Sequence, residues 1–409
     1  MEEGRILYVS SVDVSRGDGP GVNEREFIRS LYRSMGERAR FVIPRPVNRV
    51  ADIPNELCTF TTPHHSHHPV HYLRHMASQA REALSILRSE PIDLLVCRPD
   101  VIPIGALYLT RRTPVPYALK TLGRGEIEAL GERGGLLGRI LARPGRTVMR
   151  RLVTGAIVTD ACSMPMISYL RERLGVPEAC FEWIDNAVDI ARFCPSDPRK
   201  AREQLGMDGC DPVIGYVGSR PSERGARALI EILPDLLPAF PAIGVLIVGD
   251  DPQLSTLEAI AERRGVRDRV TFTGYIPFDE VPKHVNALDI GVSISDSSDR
   301  FAAAELKVRQ YLACGKPVVA SPGSNDFLAT ESLGTIVTAS DPNSISKAIR
   351  GWLERDSTEV TRFARRARTF VEERLSFEGA MNRRFEVWAQ RLERRETGTE
   401  NEDLLEESM

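Results

Sequence analysis

Short apolar runs alternate with amphipathic stretches along this chain. Near the N-terminus "RILYVSS" has the pattern of a buried strand, and "GDGPG" after it is a turn cluster. "VNEREFIRSLYRSM" then sets Phe27, Ile28, Leu31 and Tyr32 on one helical face. "RFVIP" predicts a second strand, and "HYLRHMASQAREALSILRSE" a long helix with an apolar stripe of Leu73, Met76, Ala80, Leu84 and Leu87. "DLLVCRP", "VPYALKT" and "TGAIVTD" follow as strands. Residues 186–212, rich in Pro, Asp and Gly, form a seam, after which the rhythm restarts. "PVIGYVG", "IGVLIVGD", "RVTFTGY", "DIGVSIS", "KPVVAS" and "GTIVT" predict strands. Helices fall between them, among them one marked by Ala226, Leu229, Ile230, Leu233 and Leu237, and another in "ELKVRQYLACG".

Strand, helix and strand at this rhythm imply parallel sheets with crossover helices. The predicted fold class is therefore α/β, with two doubly wound Rossmann-like domains, 1–185 and 186–375, facing a central cleft. A surplus helix over 376–395 is expected to pack back on the first domain. The acidic end, 396–409, carries six acids and no base and predicts a disordered tail.

Composition narrows the function classes. A chain of 409 residues, 42% of them hydrophobic, can bury two cores. A net charge of −3 gives no global reason to expect nucleic acid as a partner. Seven scattered cysteines without a C-x-x-C point to reduced thiols in a cytoplasmic setting. No signal peptide is recognisable, and no apolar run approaches the roughly 18 residues of a membrane span.

Several stretches after the seam share an order and spacing with a known family. "WIDNAVDIARFCP" matches an interdomain pattern through Asn186, Val188, Asp189, Phe193 and Pro195, with Asp185 and Ala187 departing from it. "VIGYVGSRPSERGARALIEIL", "VLIVGDD" with "RVTFTGYIPFDEVPKHVNALDIGVSIS", and "ELKVRQYLACGKPVVAS" follow in turn. Residues 180 to 350 thereby resemble the retaining family-4 glycosyltransferases of the GT-B fold, while the first domain resembles them only in outline.

The resemblance implies a donor site. A nucleotide diphosphate sugar gains negative charge on its leaving group as the glycosidic bond breaks, and cations must stabilise it. The family's Arg and Lys positions correspond to Ser219, with Arg220 one residue on, and to Arg224, in the loop that begins at Gly218. Arg in place of Lys adds forked hydrogen bonding to phosphate. Gly19 and Gly21 occupy the place of the family's Gly-rich turn, although a plain tight turn accounts for them equally. Tyr275 and Ile276 stand where the family's backbone passes the nucleobase, and Ile276 also suits core filling. Of the two glutamates that usually grip the donor, the first is Ala302 and the second is Gln310. Leu306-Lys307 matches a subset that lacks the first. Glu305, Leu306 and Lys307 would offer backbone N–H groups to the diphosphate, and Glu305, Asp296 and Asp299 are candidates for sugar contacts. Lys120 takes the position of a family His, either as a cation for acceptor or phosphate or as a salt-bridge partner.

"PHHSHHPVHYLRH" holds six of the seven histidines. It contains no Asp or Glu and no H-E-x-x-H, so a polar loop near an acceptor explains it better than a catalytic metal, and no metal or other cofactor is expected. Arg111 to Arg151 carries ten Lys or Arg against three Glu, with Leu136, Leu137, Ile140 and Leu141 together. That pattern suits a membrane surface or the cationic face of an ordinary helix.

The reading is a transferase moving a sugar from a nucleotide diphosphate donor to a glycan, lipid-linked or small-molecule acceptor hydroxyl. Arg220, Arg224 and Lys120 would act at the reaction centre, retention is implied by the resemblance, and the place of action would be the cytoplasm, peripheral on the inner membrane face. Ala302 and Gln310 leave open an alternative, a catalytically inactive nucleotide-sugar-binding subunit of an active transferase.

Overall fold

The computed structural model describes residues 4–17, 19–50, 53–63, 69–99, 103–120, 135–295 and 305–397, without the side chains of 69–70 and 135–144. The chain divides into two compact units. Unit 1 is Met1–Asp185 with Ala380–Met409, and unit 2 is Asn186–Gly379.

Unit 1 is built on a seven-stranded sheet in the order β3-β2-β1-β4-β5-β6-β7. The strands are β1 (Ile6–Ser10), β2 (Ala39–Pro44), β3 (Cys58–Thr61), β4 (Leu94–Arg98), β5 (Tyr117–Leu119), β6 (Thr159–Ala161) and β7 (Phe181–Trp183). All pair in parallel, with β1 between β2 and β4, so that Ile6 faces both Ala39 and Leu94. Helices must then cover both faces, which is why the central strands are unbroken apolar runs. β3 and β7 are edge strands, "CTFT" and "FEW", too short and too polar for that signature.

The helix Gly19–Met35 begins three residues before the predicted amphipathic stretch and takes in the glycines of the turn cluster. A Cβ on Gly21 would sit 2.6 Å from the Arg16 carbonyl oxygen, so only glycine lets this first turn pack there. Phe27, Ile28 and Leu31 are buried as predicted, but Tyr32, at the edge of that face, is exposed. The helix Pro69–Ser89 likewise buries Met76, Ala80 and Leu84 and leaves Leu73 in solvent. From the chain's far end, the helix Phe377–Thr397 contributes Met381, Val387 and Trp388 to the unit 1 core beside Phe27 and Phe41. Arg384 Nε donates to Asp160 Oδ2 at 2.7 Å and Arg383 to Glu182 at 2.6 Å, which fixes its register.

Unit 2 carries a six-stranded sheet in the order β10-β9-β8-β11-β12-β13. Its strands are β8 (Val213–Val217), β9 (Gly244–Val248), β10 (Val270–Phe272), β11 (Ile290–Ser293), β12 (Val318–Ala320) and β13 (Gly334–Ile336). They too pair in parallel around a core that includes Ile214, Tyr216, Leu229, Leu246, Val292 and Tyr311. In both sheets the strand order reverses at one point, between β1 and β4 in unit 1 and between β8 and β11 in unit 2. Such reversals leave a crevice beyond the carboxyl ends of the strands, where α/β folds bind ligands.

Candidate active site

At the reversal in unit 2, β8 ends at Val217 and the chain turns through Gly218, Ser219 and Arg220 into the short 3-10 turn Pro221–Glu223. Gly218 has φ 152°, a backbone conformation that residues with a Cβ rarely adopt, and Lys307 Cε lies 2.9 Å from where its Cβ would be. The Ser219 carbonyl accepts a hydrogen bond from Tyr216 Oη at 2.7 Å. Asp251, buried just after β9, accepts from the Ser222 N–H at 2.9 Å and from the Ser222 hydroxyl, tying the turn to the neighbouring strand end. Sequence reasoning passed over Asp251, although its place in "GDD" directly after a strand was the available signal.

Across the reversal, β11 ends at Ser293 and the helix Leu306–Ala313 starts after Glu305. Among the described residues no side chain caps that helix, and its first amides are available to an anion there. Glu305 is the hub. Arg224 Nη1 and Lys307 Nζ both reach its Oε1, the latter at 3.3 Å, and Ser293 Oγ donates to Oε2. Burial alone would raise the Glu305 carboxyl, but Lys307, Arg224 and the Ser293 hydroxyl outweigh it and bring it down to about 2. Burial pushes the Lys307 ammonium down, and Glu305 works against that shift. The cluster is two cations on one carboxylate, a net positive charge beside open helix amides, which suits a diphosphate.

Further residues singled out from the sequence also lie in unit 2. Arg220 adopts left-handed backbone (φ 53°), uncommon outside glycine, and its side chain is 69% exposed, 3.5 Å from Glu223. Gln310 lies one turn beyond Leu306 in the same helix and is largely buried. Tyr275 is exposed beyond β10, while Ile276 packs against the unit 2 core. Ala302, Asp296 and Asp299 lie outside the described residues.

Unit 1 has a second ionic cluster at its own reversal. Glu24, from the helix Gly19–Met35, accepts from Arg98 Nη1 at 2.6 Å, from Lys120 Nζ at 3.0 Å and from Tyr8 Oη. Arg98 ends β4 and Lys120 follows β5, so two strand ends converge on one carboxylate. Burial would raise Glu24, yet Lys120 and Arg98 overcome it and hold the carboxyl at about 2. Burial lowers Lys120 to about 8, with Arg98 and Arg384 adding to the shift and Glu24 opposing it. Of the two roles open to Lys120 from sequence, the structure gives it the internal ion pair. A small pocket beside this cluster is lined by Ser11, Met76, Gln79, Cys97, Arg98 and Leu109. Gly19 and Gly21 stand in the first turn of the helix that carries Glu24.

Of the histidines, His75 is buried with Nδ1 2.8 Å from the Thr62 carbonyl oxygen, and His71 is exposed one turn earlier. His64, His65, His67 and His68 lie outside the described residues. Among the described residues no three His, Cys, Asp or Glu side chains converge as a metal set. Within the basic stretch, the helix Gly135–Gly155 buries Met149, Leu152 and Val153 and exposes Arg150 and Arg151. Residues 121–134 and the side chains of Leu136, Leu137, Ile140 and Leu141 lie outside the described residues, as does 398–409 of the acidic tail. No helix among the described residues is long and apolar enough to cross a membrane.

Two parallel doubly wound units, each with one reversal of strand order, fit a two-domain Rossmann-like GT-B fold. Sucrose-phosphate synthase from Thermosynechococcus elongatus superposes with a TM-score of 0.72 at 18% identity, covering 94% of this chain and 98% of that one. HepE from Anabaena, solved with UDP and glucose, superposes with a TM-score of 0.69 at 18% identity over 95% of this chain and 100% of its own. Residues 211–355, within unit 2, match the family model described as Glycosyl transferases group 1. A curated relative, the GDP-mannose-dependent alpha-(1-6)-phosphatidylinositol monomannoside mannosyltransferase of Mycolicibacterium smegmatis, is 32% identical over 211 residues. That match takes in 50% of this chain and 55% of the relative, so the chain spans about half the length of the curated protein it resembles.

Proposed function

We propose that this chain is a glycosyltransferase that moves a sugar from a nucleotide diphosphate donor to an acceptor hydroxyl. The observation that carries this is the convergence of Arg224 and Lys307 beside the uncapped helix at the reversal in unit 2. In this reading both cations and the amides of Leu306 and Lys307 hold the diphosphate and stabilise the charge that builds on it as the sugar leaves. Arg220 adds a solvent-facing cation, Gln310 bonds the ribose, and Tyr275 with Ile276 borders the base. The cations do the work that a divalent metal does elsewhere, so transfer proceeds without one. Retention of configuration follows from the family-4 resemblance alone.

The acceptor is a glycan or a lipid-linked sugar. The phosphatidylinositol mannoside named for the mycobacterial relative gives the lipid-linked case its support. With it goes a peripheral place on the cytoplasmic face of a membrane, held in part by the basic stretch from Arg111 to Arg151.

A thermal-shift panel of UDP, GDP and ADP, each with and without EDTA, tests the donor site. One nucleoside diphosphate at a hundred times its Kd should add about 2.7 kcal/mol of stability. The shift should survive EDTA and shrink in Arg224→Ala. No shift with any nucleotide would sink the reading, and a shift abolished by EDTA would remove its metal-free part.

A further inference from the structure

A donor site needs Arg224 and Lys307 as cations, but it does not need a carboxylate lying on both of them. A negative group at that position opposes an incoming diphosphate. Glu305 is not needed to fix the backbone that carries the cations, which other contacts hold. The Arg224 N–H donates to the Pro221 carbonyl at 3.1 Å, and the Arg224 carbonyl accepts from the Ile294 N–H at 3.2 Å. Lys307 is part of the helix, its Cε is wedged beside Gly218, and its Nζ lies 5.0 Å from the centre of the Tyr216 ring. Glu305 therefore adds a negative charge to a site whose backbone is already fixed. Its Oε1 sits between two cationic groups, where a phosphate oxygen would be bound, while Ser293 tethers Oε2.

We propose that Glu305 is a resident counter-ion, which the donor's diphosphate displaces from Arg224 and Lys307 and which thereby weakens nucleotide binding. The proposal rests on the donor-site reading of the same cluster. No bond is made or broken: a phosphate oxygen replaces a carboxylate oxygen on the two cations. In the empty site Glu305 keeps two neighbouring positive groups from repelling one another. After transfer it competes for them again and favours release of the nucleoside diphosphate.

Titration calorimetry with UDP and with GDP on the full chain tests this, using the wild type, Glu305→Gln, Ser293→Ala and Arg224→Ala. Glu305→Gln keeps the shape of the side chain and removes its charge, so the nucleotide that binds the wild type should bind about tenfold tighter. Ser293→Ala loosens the tether and should tighten binding about threefold. A merely structural part for Glu305 predicts weaker binding instead. Weaker or unchanged binding in Glu305→Gln with an intact melting transition overturns the proposal. Should that variant fail to fold, the same result in Ser293→Ala overturns it. Arg224→Ala keeps the two readings apart. If it binds as the wild type does, the donor-site reading fails and takes the counter-ion with it. If it binds weakly while Glu305→Gln also binds weakly, only the counter-ion proposal falls.

Discussion

The two units present the same ionic motif at the same topological position, and burial separates them. Each has a glutamate next to the reversal in strand order, held by two cations and by hydroxyl groups. In unit 1 the Glu24, Arg98 and Lys120 side chains are 0%, 6% and 4% exposed. In unit 2 the Glu305, Arg224 and Lys307 side chains are 8%, 18% and 13% exposed. The first cluster is a closed set of charges whose opening would strand ions away from water. The second has cations that solvent, and so a ligand, can reach. Charge pattern alone does not distinguish the two, and accessibility does.

Removing the carboxylates should separate the two most clearly. Glu24→Gln leaves Lys120 and Arg98 buried without a counter-charge and should cost about 3–5 kcal/mol of folding stability. Glu305→Gln leaves cations that water can reach and should cost less. Urea denaturation of both variants measures this. Equal losses would break the distinction between a sealed and an open cluster.

Acid should report on the same sealed cluster. Glu24 falls from 4.5 to about 2 on folding, so the unfolded chain binds the proton more readily. Its contribution is fully present above pH 4.5 and fades as pH drops toward about 2, a loss of about 3 kcal/mol over that window. Glu305 titrates over the same window and adds to the acid limb. Lys120 acts at the other end. Its folded value of about 8 against 10.5 means that stability should rise with pH between those two values. In a pH series of unfolding free energies, Glu24→Gln and Glu305→Gln should each flatten the acid limb. No flattening in Glu24→Gln would show that its carboxyl is not held ionised by Lys120 and Arg98.

Much of this contrast was hidden in the sequence, and the reasons are physical. Central strands such as "ILYVS" and "GVLIV" are buried on both faces and read plainly, whereas the edge strands Cys58–Thr61 and Phe181–Trp183 need no such run. The helix Ser357–Phe370 was missed because few of its residues are buried, although the capping box of Asp356 and Glu359 announces it. On the candidate site, Arg224 was singled out through the family resemblance, while Lys307 was read only for its backbone N–H and not for the ammonium that lies beside Glu305. The sealed cluster was not legible. Lys120 finds its partner 96 residues away, and Glu24 sits in a polar-looking helix start where nothing marks one carboxylate as buried. That Glu305 joins the two cations could be seen only once β11 and the helix after it were placed beside the loop that follows β8.

The open cluster should respond to binding more than to folding. Arg224→Ala should lower nucleoside diphosphate affinity by about 1.5–3 kcal/mol, the range for hydrogen bonds to charged groups. Its melting temperature should stay near that of the wild type. Calorimetry and a thermal melt on the same preparation measure both quantities, and a large loss of stability with unchanged affinity would reassign Arg224 to the fold.

Arg220 should give the smallest effect and the finest division within the cluster. Its side chain is 69% exposed and its pairing with Glu223 is long, so Arg220→Ala should alter stability by about 0.5 kcal/mol or less. On nucleotide affinity the expected loss is about threefold, because a solvated cation contributes less than an enclosed one. The loss should also fade at high salt, whereas that of Arg224→Ala should largely persist, since enclosed charges are screened less. Calorimetric titrations of both variants at low and high salt decide the point. A salt-resistant loss in Arg220→Ala equal to that in Arg224→Ala would place Arg220 against the diphosphate in the bound state, and the left-handed backbone at this position would then aim a ligand rather than only close a turn.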